Sequence, residues 1–300
     1  MKIGEFDLKQ RRLNKSLINR QAKRYIESNP RLKGVMGLYR EVFSVQRRLS
    51  QRVPDQLPHI KGGQISYRIA EGRLLIEPDE LEVDLPVLKE MMGELGKVLR
   101  DKSGSPVENL EMFLEEELED EERLRNLVEA FLQRNGEDLA GIADGYSLDP
   151  AVLYLLLHIS IAPFFWKKAG SLARKADLGQ VPRGECPVCG NLPVMGFLRS
   201  EDGLRILECS LCGSRWGVPR VMCPFCKNMD QHKLRYIFAE GDSSHRVYLC
   251  DKCRKYIKIT GEAGETTEEL VMPLEDLATV HLDQAAEERG YERGCRTVFS

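Results

Sequence analysis

Apolar residues recur at helical spacing through most of the first 170 positions, and the period then gives way to short alternating runs. The basic amphipathic stretch Leu13–Ile26 predicts a helix that ends before Pro30. Val35, Leu38, Tyr39, Val42, Val45 and Leu49 predict a second over Leu32–Leu49, although Gly34 and Gly37 weaken it. Between Lys61 and Pro78 the pattern changes. Ile65–Ile69 and Leu74–Ile76 read as short strands, in a small hairpin or an extended linker. Asp84 as N-cap, with Pro86 in the first turn, opens a helix through Val87, Leu88, Met91, Leu95, Val98 and Leu99 that stops near Ser103. Leu110 to Leu132 predict one long amphipathic helix or two broken near Asp120, with the acidic run Glu115–Glu122 as its solvated face. Asp149 and Pro150 repeat the capping signature ahead of the apolar run Ala151–Trp166. That run reads as a buried core helix, shorter than a membrane span needs, which Pro163 kinks or ends. His158 has no Cys, Asp or Glu three or four residues away, so it reads as a hydrogen-bonded core residue rather than a ligand.

Gln180–Glu185, with Pro182 and Gly184, reads as a linker. Beyond it, Val194–Arg199 and Leu204–Glu208 form a hairpin about a turn at Glu201–Gly203; Leu234–Ala239 and Arg246–Leu249 form another about Gly241–Ser244. A Cys-x-x-Cys knuckle precedes and follows each hairpin, so the region is an internal duplication. Pro273 to Gly290 predicts a last helix that packs back onto the body. The expected organisation is a mainly α N-terminal domain over 1–179, a small-β metal-binding domain of two ribbon-like units over 180–262, and a C-terminal helix and tail over 263–300 that close on it.

Eight of the nine cysteines form the pairs Cys186/Cys189, Cys209/Cys212, Cys223/Cys226 and Cys250/Cys253. Two thiolates two residues apart can point at one ion from a single turn, and two such turns complete a tetrahedral four-sulfur shell. Sequential pairing encloses 19 residues in the first site and 23 in the second, with ten between the sites. The expectation is two metal ions, iron or zinc, held by all eight cysteines. Gly190 and Gly213 follow the first two pairs, whereas Lys227 and Arg254 follow the others. Lacking glycine's freedom, the second site is expected to differ in shape or to be more open. Cys295 stands alone and reads as a free surface thiol.

A chain of 300 residues with 42% hydrophobic and 30% charged content folds without disulfides. Met1–Arg12 lacks a secretory h-region, so a cytoplasmic, reducing location is expected, where paired cysteines hold metal. The net charge of −3 conceals blocks of opposite sign: +9 over residues 1–50, −14 over 71–144, +8 over 164–260 and −7 from 261 onward. Such blocks can attract one another within the molecule. No P-loop, dinucleotide loop or His-Glu-x-x-His is present, and five histidines leave little for catalysis, so no catalytic residue is assigned.

Three roles for the cysteine region remain. Structural metal is the simplest, because a closed four-sulfur shell leaves no position for substrate and supplies the folding energy a small ribbon lacks. An iron or thiol redox role uses the same ligands. A zinc-ribbon contact with nucleic acid would use basic residues such as Arg235, Arg246 and Lys258, interleaved with Trp216, Tyr236, Phe238, Tyr248 and Tyr256. It ranks below the alternative that the cations offset thiolate charge and the aromatics fill the hairpin cores.

The stretches Cys186-Pro-Val-Cys-Gly-Asn-Leu-Pro-Val-Met195, Leu207-Glu-Cys-Ser-Leu-Cys-Gly-Ser-Arg-Trp216, Val221-Met-Cys223 and Cys250-Asp-Lys-Cys-Arg-Lys-Tyr-Ile-Lys-Ile259 closely resemble the formate dehydrogenase accessory (formation) protein family. Asp276–Asp283 and Glu288–Tyr291 extend the likeness. It implies a helical domain followed by two rubredoxin-like metal sites, with iron as the ion proposed for the paired cysteines. It further implies an assembly factor rather than an enzyme, which binds the catalytic subunit of formate dehydrogenase during maturation. Arg254 departs from the family's glycine after the fourth pair.

Overall fold

The computed structural model describes residues 14–54, 62–102, 109–173, 176–179, 181–199, 202–261 and 270–295. In chain order the elements are α1 (Lys15–Ser28), α2 (Lys33–Leu49), α3 (Gly62–Ala70), α4 (Leu85–Lys102), α5 (Leu110–Glu119), α6 (Glu121–Leu132), α7 (Gly136–Gly145), α8 (Pro150–Ala173), β1 (Pro193–Leu198), β2 (Arg205–Cys209), β3 (Arg215–Val218), β4 (Leu234–Ile237), β5 (His245–Cys250), β6 (Lys255–Thr260), α9 (Met272–Ala278), α10 (Val280–Glu287) and β7 (Glu292–Arg293). The chain divides into two compact units. One comprises Met1–Leu32, His59–Leu75 and Ala169–Ser300, and the other Lys33–Pro58 and Ile76–Lys168.

The second of these units is all helix. Asp84 caps α4 by accepting from the Val87 N–H at 2.9 Å, and Asp120 accepts from the Glu122 and Arg123 N–H groups at 2.9 and 3.1 Å. The second cap divides the Leu110–Leu132 stretch into α5 and α6. The acidic run is largely solvated, but Glu117 is buried and accepts from the Tyr146 hydroxyl at 2.8 Å. Helix α7 was not expected from the pattern; Asn135 caps it through the Asp138 N–H. Its core includes Leu88, Met91, Leu95, Phe113, Leu124, Leu127 and Leu156, all fully buried. Phe43 stacks on Trp166, and Gln46 donates to the Ile159 carbonyl at 2.6 Å. Buried His158 packs among the rings of Phe131 and Tyr154.

Helix α8 differs from expectation. Pro163 does not end it, and the helix continues to Ala173. One missing hydrogen bond and a ring clash cost about 3 kcal/mol. Burying Phe164, Phe165, Trp166, Ala169 and Leu172 outweighs that. The resulting helix is long and apolar enough to cross a membrane by length and composition, with 67% of the relevant window buried within the protein.

The other unit is built on one seven-stranded sheet in the order β3-β2-β1-β6-β5-β4, with β7 paired to β6. Each sequence repeat is a three-stranded antiparallel meander. A parallel pairing of Gly196 and Phe197 with Ile259 and Thr260 joins the two. The hairpins fall where the sequence placed them; the third strand of each repeat, β3 and β6, was not expected. The stretch read as strand at Ile65–Ile69 is helix α3, because Ile65 alone is fully buried while Tyr67 is exposed: one face per turn, not per alternate residue. Leu74–Ile76 forms no strand, although the Leu75 N–H donates to the Pro187 carbonyl at 3.2 Å and so rests on the first knuckle.

The C-terminal segment returns to the sheet as two short helices, not one, divided at Thr279, whose hydroxyl donates to the Glu275 carbonyl at 2.8 Å. On α9, Glu275 accepts from the Gln21 side-chain amide of α1 at 2.8 Å and from the Tyr25 hydroxyl, and Gln21 Oε1 receives the Val271 N–H at 3.0 Å. Under α9 and α10, Lys258 Nζ lies 2.9 Å from Asp276 and 2.6 Å from Asp283, and Arg293 contacts the same two carboxylates. Two cations thus neutralise two carboxylates in a buried network that fastens the helices to β6 and β7.

Candidate metal centre

All four knuckles fold as the same turn. The residue after each second cysteine returns its N–H to the carbonyl of the first: Gly190 to Cys186 at 2.8 Å, Gly213 to Cys209 at 3.2 Å, Lys227 to Cys223 at 2.9 Å and Arg254 to Cys250 at 2.8 Å. That turn needs a left-handed residue, and φ is 74° at Gly190, 69° at Gly213, 59° at Lys227 and 59° at Arg254. The expected difference in backbone shape is therefore absent. Lys227 and Arg254 adopt the glycine conformation against side-chain sterics. The first knuckle of each repeat is closed further by the first cysteine's N–H, donated to Asn191 O or Asn228 O at 2.8 Å. Those two asparagines were overlooked in the sequence, where their common place two residues beyond the second cysteine was the available signal.

The turns bring the eight sulfurs into two groups, each with its four sulfur atoms within 4.8 Å of one another. Cys186 Sγ is 3.6 Å from Cys212 Sγ and Cys189 Sγ is 3.5 Å from Cys209 Sγ. The second group repeats the crosswise arrangement: Cys223 to Cys253 at 3.7 Å and Cys226 to Cys250 at 3.6 Å. A tetrahedron with metal–sulfur bonds of about 2.3 Å has edges of about 3.8 Å. Either group could accept one ion with little movement.

Burial distinguishes the groups. All four cysteines of the first are buried, while Cys226 and Cys253 of the second are partly exposed. The second group is thus the more open, through its covering rather than its turn. As thiols, Cys186, Cys189 and Cys223 are pushed well above the ordinary range by burial, and Cys253 is pushed up to about 11. At Cys209 burial is outweighed by hydrogen bonds from the Cys186, Cys189 and Cys212 thiols, which hold it low. Cys226 is also lowered, burial there being outweighed by the Asn228 N–H and the neighbouring thiols. A divalent cation bound among the four sulfurs would displace the remaining protons and hold all four as thiolates.

The basic and aromatic residues of the region do not form one surface. Arg215 is buried against Glu208 at 2.8 Å and Lys258 against Asp276 and Asp283, so these cations neutralise carboxylates rather than thiolates. Trp216 and Tyr256 fill the core, but Tyr236 and Phe238 are exposed. Cys295 is not a surface thiol. Gly294 N–H donates to the Tyr256 carbonyl beside β7, which tucks the Cys295 sulfur inward, 3.8 Å from Leu192 O. Burial raises its pKa to about 12.

Residues 185–220 match the domain described as "FdhE, central domain" and residues 221–299 match "FdhE, C-terminal domain". The chain is 33% identical over 209 residues to the Protein FdhE homolog of Pectobacterium atrosepticum, which takes in 66% of this chain and 60% of that protein, less than two thirds of its length. It is 29% identical over 245 residues to Protein FdhE of Escherichia coli, taking in 79% of this chain and 72% of the relative. Among solved structures, the FdhE protein from Pseudomonas aeruginosa superimposes with a TM-score of 0.64 over 96% of this chain and 95% of that one. At 22% identity, that likeness is one of fold.

Proposed function

The chain belongs to the formate dehydrogenase accessory (FdhE) protein family, and from that premise we propose that it is an assembly factor that binds the catalytic subunit of a molybdenum or tungsten formate dehydrogenase during maturation. The observation that carries the reading is the coincidence of the matched domains with the sulfur clusters. The central domain contains Cys186, Cys189, Cys209 and Cys212, and the C-terminal domain contains Cys223, Cys226, Cys250 and Cys253. On this reading the protein acts in the cytoplasm by binding, without a catalytic centre of its own. Each cluster holds one ion, iron or zinc, which supplies the folding energy that a three-stranded meander cannot draw from its small core. Iron would add one-electron chemistry at the same ligands.

Affinity capture from cells producing formate dehydrogenase tests the proposal. The chain retains the catalytic subunit, and its deletion lowers formate dehydrogenase activity. A chain that never retains the subunit, with activity indifferent to the deletion, sinks it. Metal analysis with a visible spectrum decides the ion, since a colourless zinc protein cannot carry electrons on its metal.

A further inference from the structure

The sheet is covered unevenly at its two ends. Along β3, the Val181 N–H donates to Gly217 O and the Gly217 N–H to Leu178 O, both at 2.9 Å, so a neighbouring segment closes that edge. A Cβ on Gly217 would lie 2.0 Å from Gly179 O, which shows how tightly the closing segment fits. At the other end β4 pairs with β5 alone among the described residues. It presents Tyr236, 53% exposed, with Phe238 at 58% just beyond. An open edge strand is a template for another extended chain.

Beside β4, on the sheet face that also carries Cys250 and Tyr248, lies a cavity of about 190 Å³ roofed by the 220–225 segment. Its walls include Arg205, Arg220, Arg235 and Lys255 and no acidic side chain, although Arg235 is already paired with Asp251 outside the lining. Arg205 is 1% exposed, and burial draws its pKa down to about 10, which still leaves it charged at neutral pH. Its Nη2 donates to the carbonyls of Pro219, at 2.9 Å, and Met222, its Nε has no partner, and no carboxylate pairs with it among the described residues. A buried cation without a carboxylate partner is unfavourable; the Cys223 and Cys250 sulfurs lining the same cavity offset its charge only from a distance, and the cavity has room for an anion closer to it.

We propose that the β4 edge and this cavity form a docking site for an extended, carboxylate-bearing polypeptide segment, which lies along β4 and places an acidic side chain near Arg205. The open edge selects a polypeptide, the cations select its charge, and Tyr236, Phe238 and Tyr248 supply apolar contact. In so far as the segment belongs to a formate dehydrogenase subunit, the inference rests on the function proposed above.

The test uses the full metal-loaded chain and an acetylated, amidated peptide of alternating valine and glutamate, which presents its carboxylates on one face when extended. Amide hydrogen exchange is expected to show new protection over residues 234–237. Lys255→Glu and Arg220→Glu, each kept only if its thermal unfolding midpoint matches wild type, should weaken binding roughly tenfold or more, and the valine–lysine counterpart should not bind. Absence of protection, equal binding by the variants, or displacement of the peptide by oligouridylate overturns the site; the last would assign the surface to nucleic acid. Should Arg205 act only as counter-charge to the second cluster, Arg205→Met lowers metal retention while peptide binding persists, which also overturns it. Capture of the catalytic subunit separates the two proposals. Wild-type capture that both charge reversals leave intact refutes the site alone, whereas peptide binding without subunit capture refutes the function alone.

Discussion

Replacing Lys227 by glycine should stabilise the fold whereas replacing Arg254 should not, although each change puts glycine where the first repeat already has it. Both residues sit at φ 59°, a conformation that costs an L-residue about 1–2 kcal/mol relative to glycine. Glycine's extra freedom in the unfolded chain takes back about 0.5–1 kcal/mol. At Lys227 little else is lost. Its ion pair with Glu185 is 3.7 Å long between side chains 57% and 38% exposed, and such pairs contribute little. Lys227→Gly is therefore expected to stabilise by about 0.5–1 kcal/mol, which for a domain of this size raises Tm by about 1–4 °C. Arg254 is different, because its Nη2 donates to Arg289 O at 2.8 Å and Gly290 O at 3.0 Å while its guanidinium lies 3.9 Å from the Tyr291 ring centroid. Losing about 1 kcal/mol of hydrogen bonding and about 0.5–1 kcal/mol of cation–π contact outweighs the relieved strain, so Arg254→Gly should be neutral to about 1 kcal/mol destabilising. Thermal unfolding at matched metal content measures both. A lower Tm for Lys227→Gly, or an equal rise for the two variants, would refute the strain argument.

The partial exposure of Cys226 and Cys253 implies that a chelator empties the second cluster first; metal release should be biphasic, and Cys226→Ser should remove the fast phase. A single phase, or a fast phase that survives Cys226→Ser and disappears in Cys186→Ser, contradicts this. His245 bonds Asp242 at 2.9 Å and Glu275 at 3.0 Å. Burial lowers its pKa, but those carboxylates outweigh burial and leave it raised above 6.5. Because the folded pKa is the higher one, its contribution is complete below about 6.5 and lost as pH rises through the raised value. The Tm advantage of wild type over His245→Gln should shrink along that rise, and an advantage that grows with pH counts against the bridge. Lys258→Met leaves Asp276 and Asp283 to share Arg293, so urea unfolding should show a loss of about 3–5 kcal/mol. A loss below about 1 kcal/mol would mean the network is not cooperative.

The two four-sulfur groups were legible in the sequence because their geometry is local: each knuckle is set by five residues, and the duplicated order fixes which knuckles meet. The capped helices were legible for the same reason, through Asp84, Asp120 and Asp149. What escaped was decided at long range. Strands β3 and β6 carry Arg215 and Lys258, charges that look like surface until Glu208 on the adjacent strand and Asp276 and Asp283 from the C-terminal helices reach them. Cys295 is buried beside the parallel pairing of β7 with β6, which joins residues 37 apart in the chain, Lys255 with Glu292 and Tyr256 with Arg293. Ile65–Ile69 is too short for its apolar spacing to separate helix from strand, and packing of Ile65 decided it.

The two repeats share a turn, a strand order and a sulfur arrangement, so the difference between their clusters has to come from what surrounds them. In the first repeat β1, β2 and β3 are buried along their whole length, α9 packs on β1, and Leu178 and Val181 close the β3 edge. In the second, β5 and β6 are covered by α10 and β7, while β4 is half-buried at Leu234 and Ile237 and exposed at Arg235 and Tyr236 between them. The same position that is glycine in the first repeat is a long cation in the second, held in a glycine conformation. At Arg254 that cation clamps the turn leading into β7, so the substitution gains a tertiary contact in exchange for local strain. A duplicated unit has thereby kept its four-sulfur geometry twice while leaving one copy with an edge unpaired among the described residues, a basic cavity and two accessible sulfurs. The asymmetry makes the four-sulfur group of the second repeat the one that solvent or another molecule can reach.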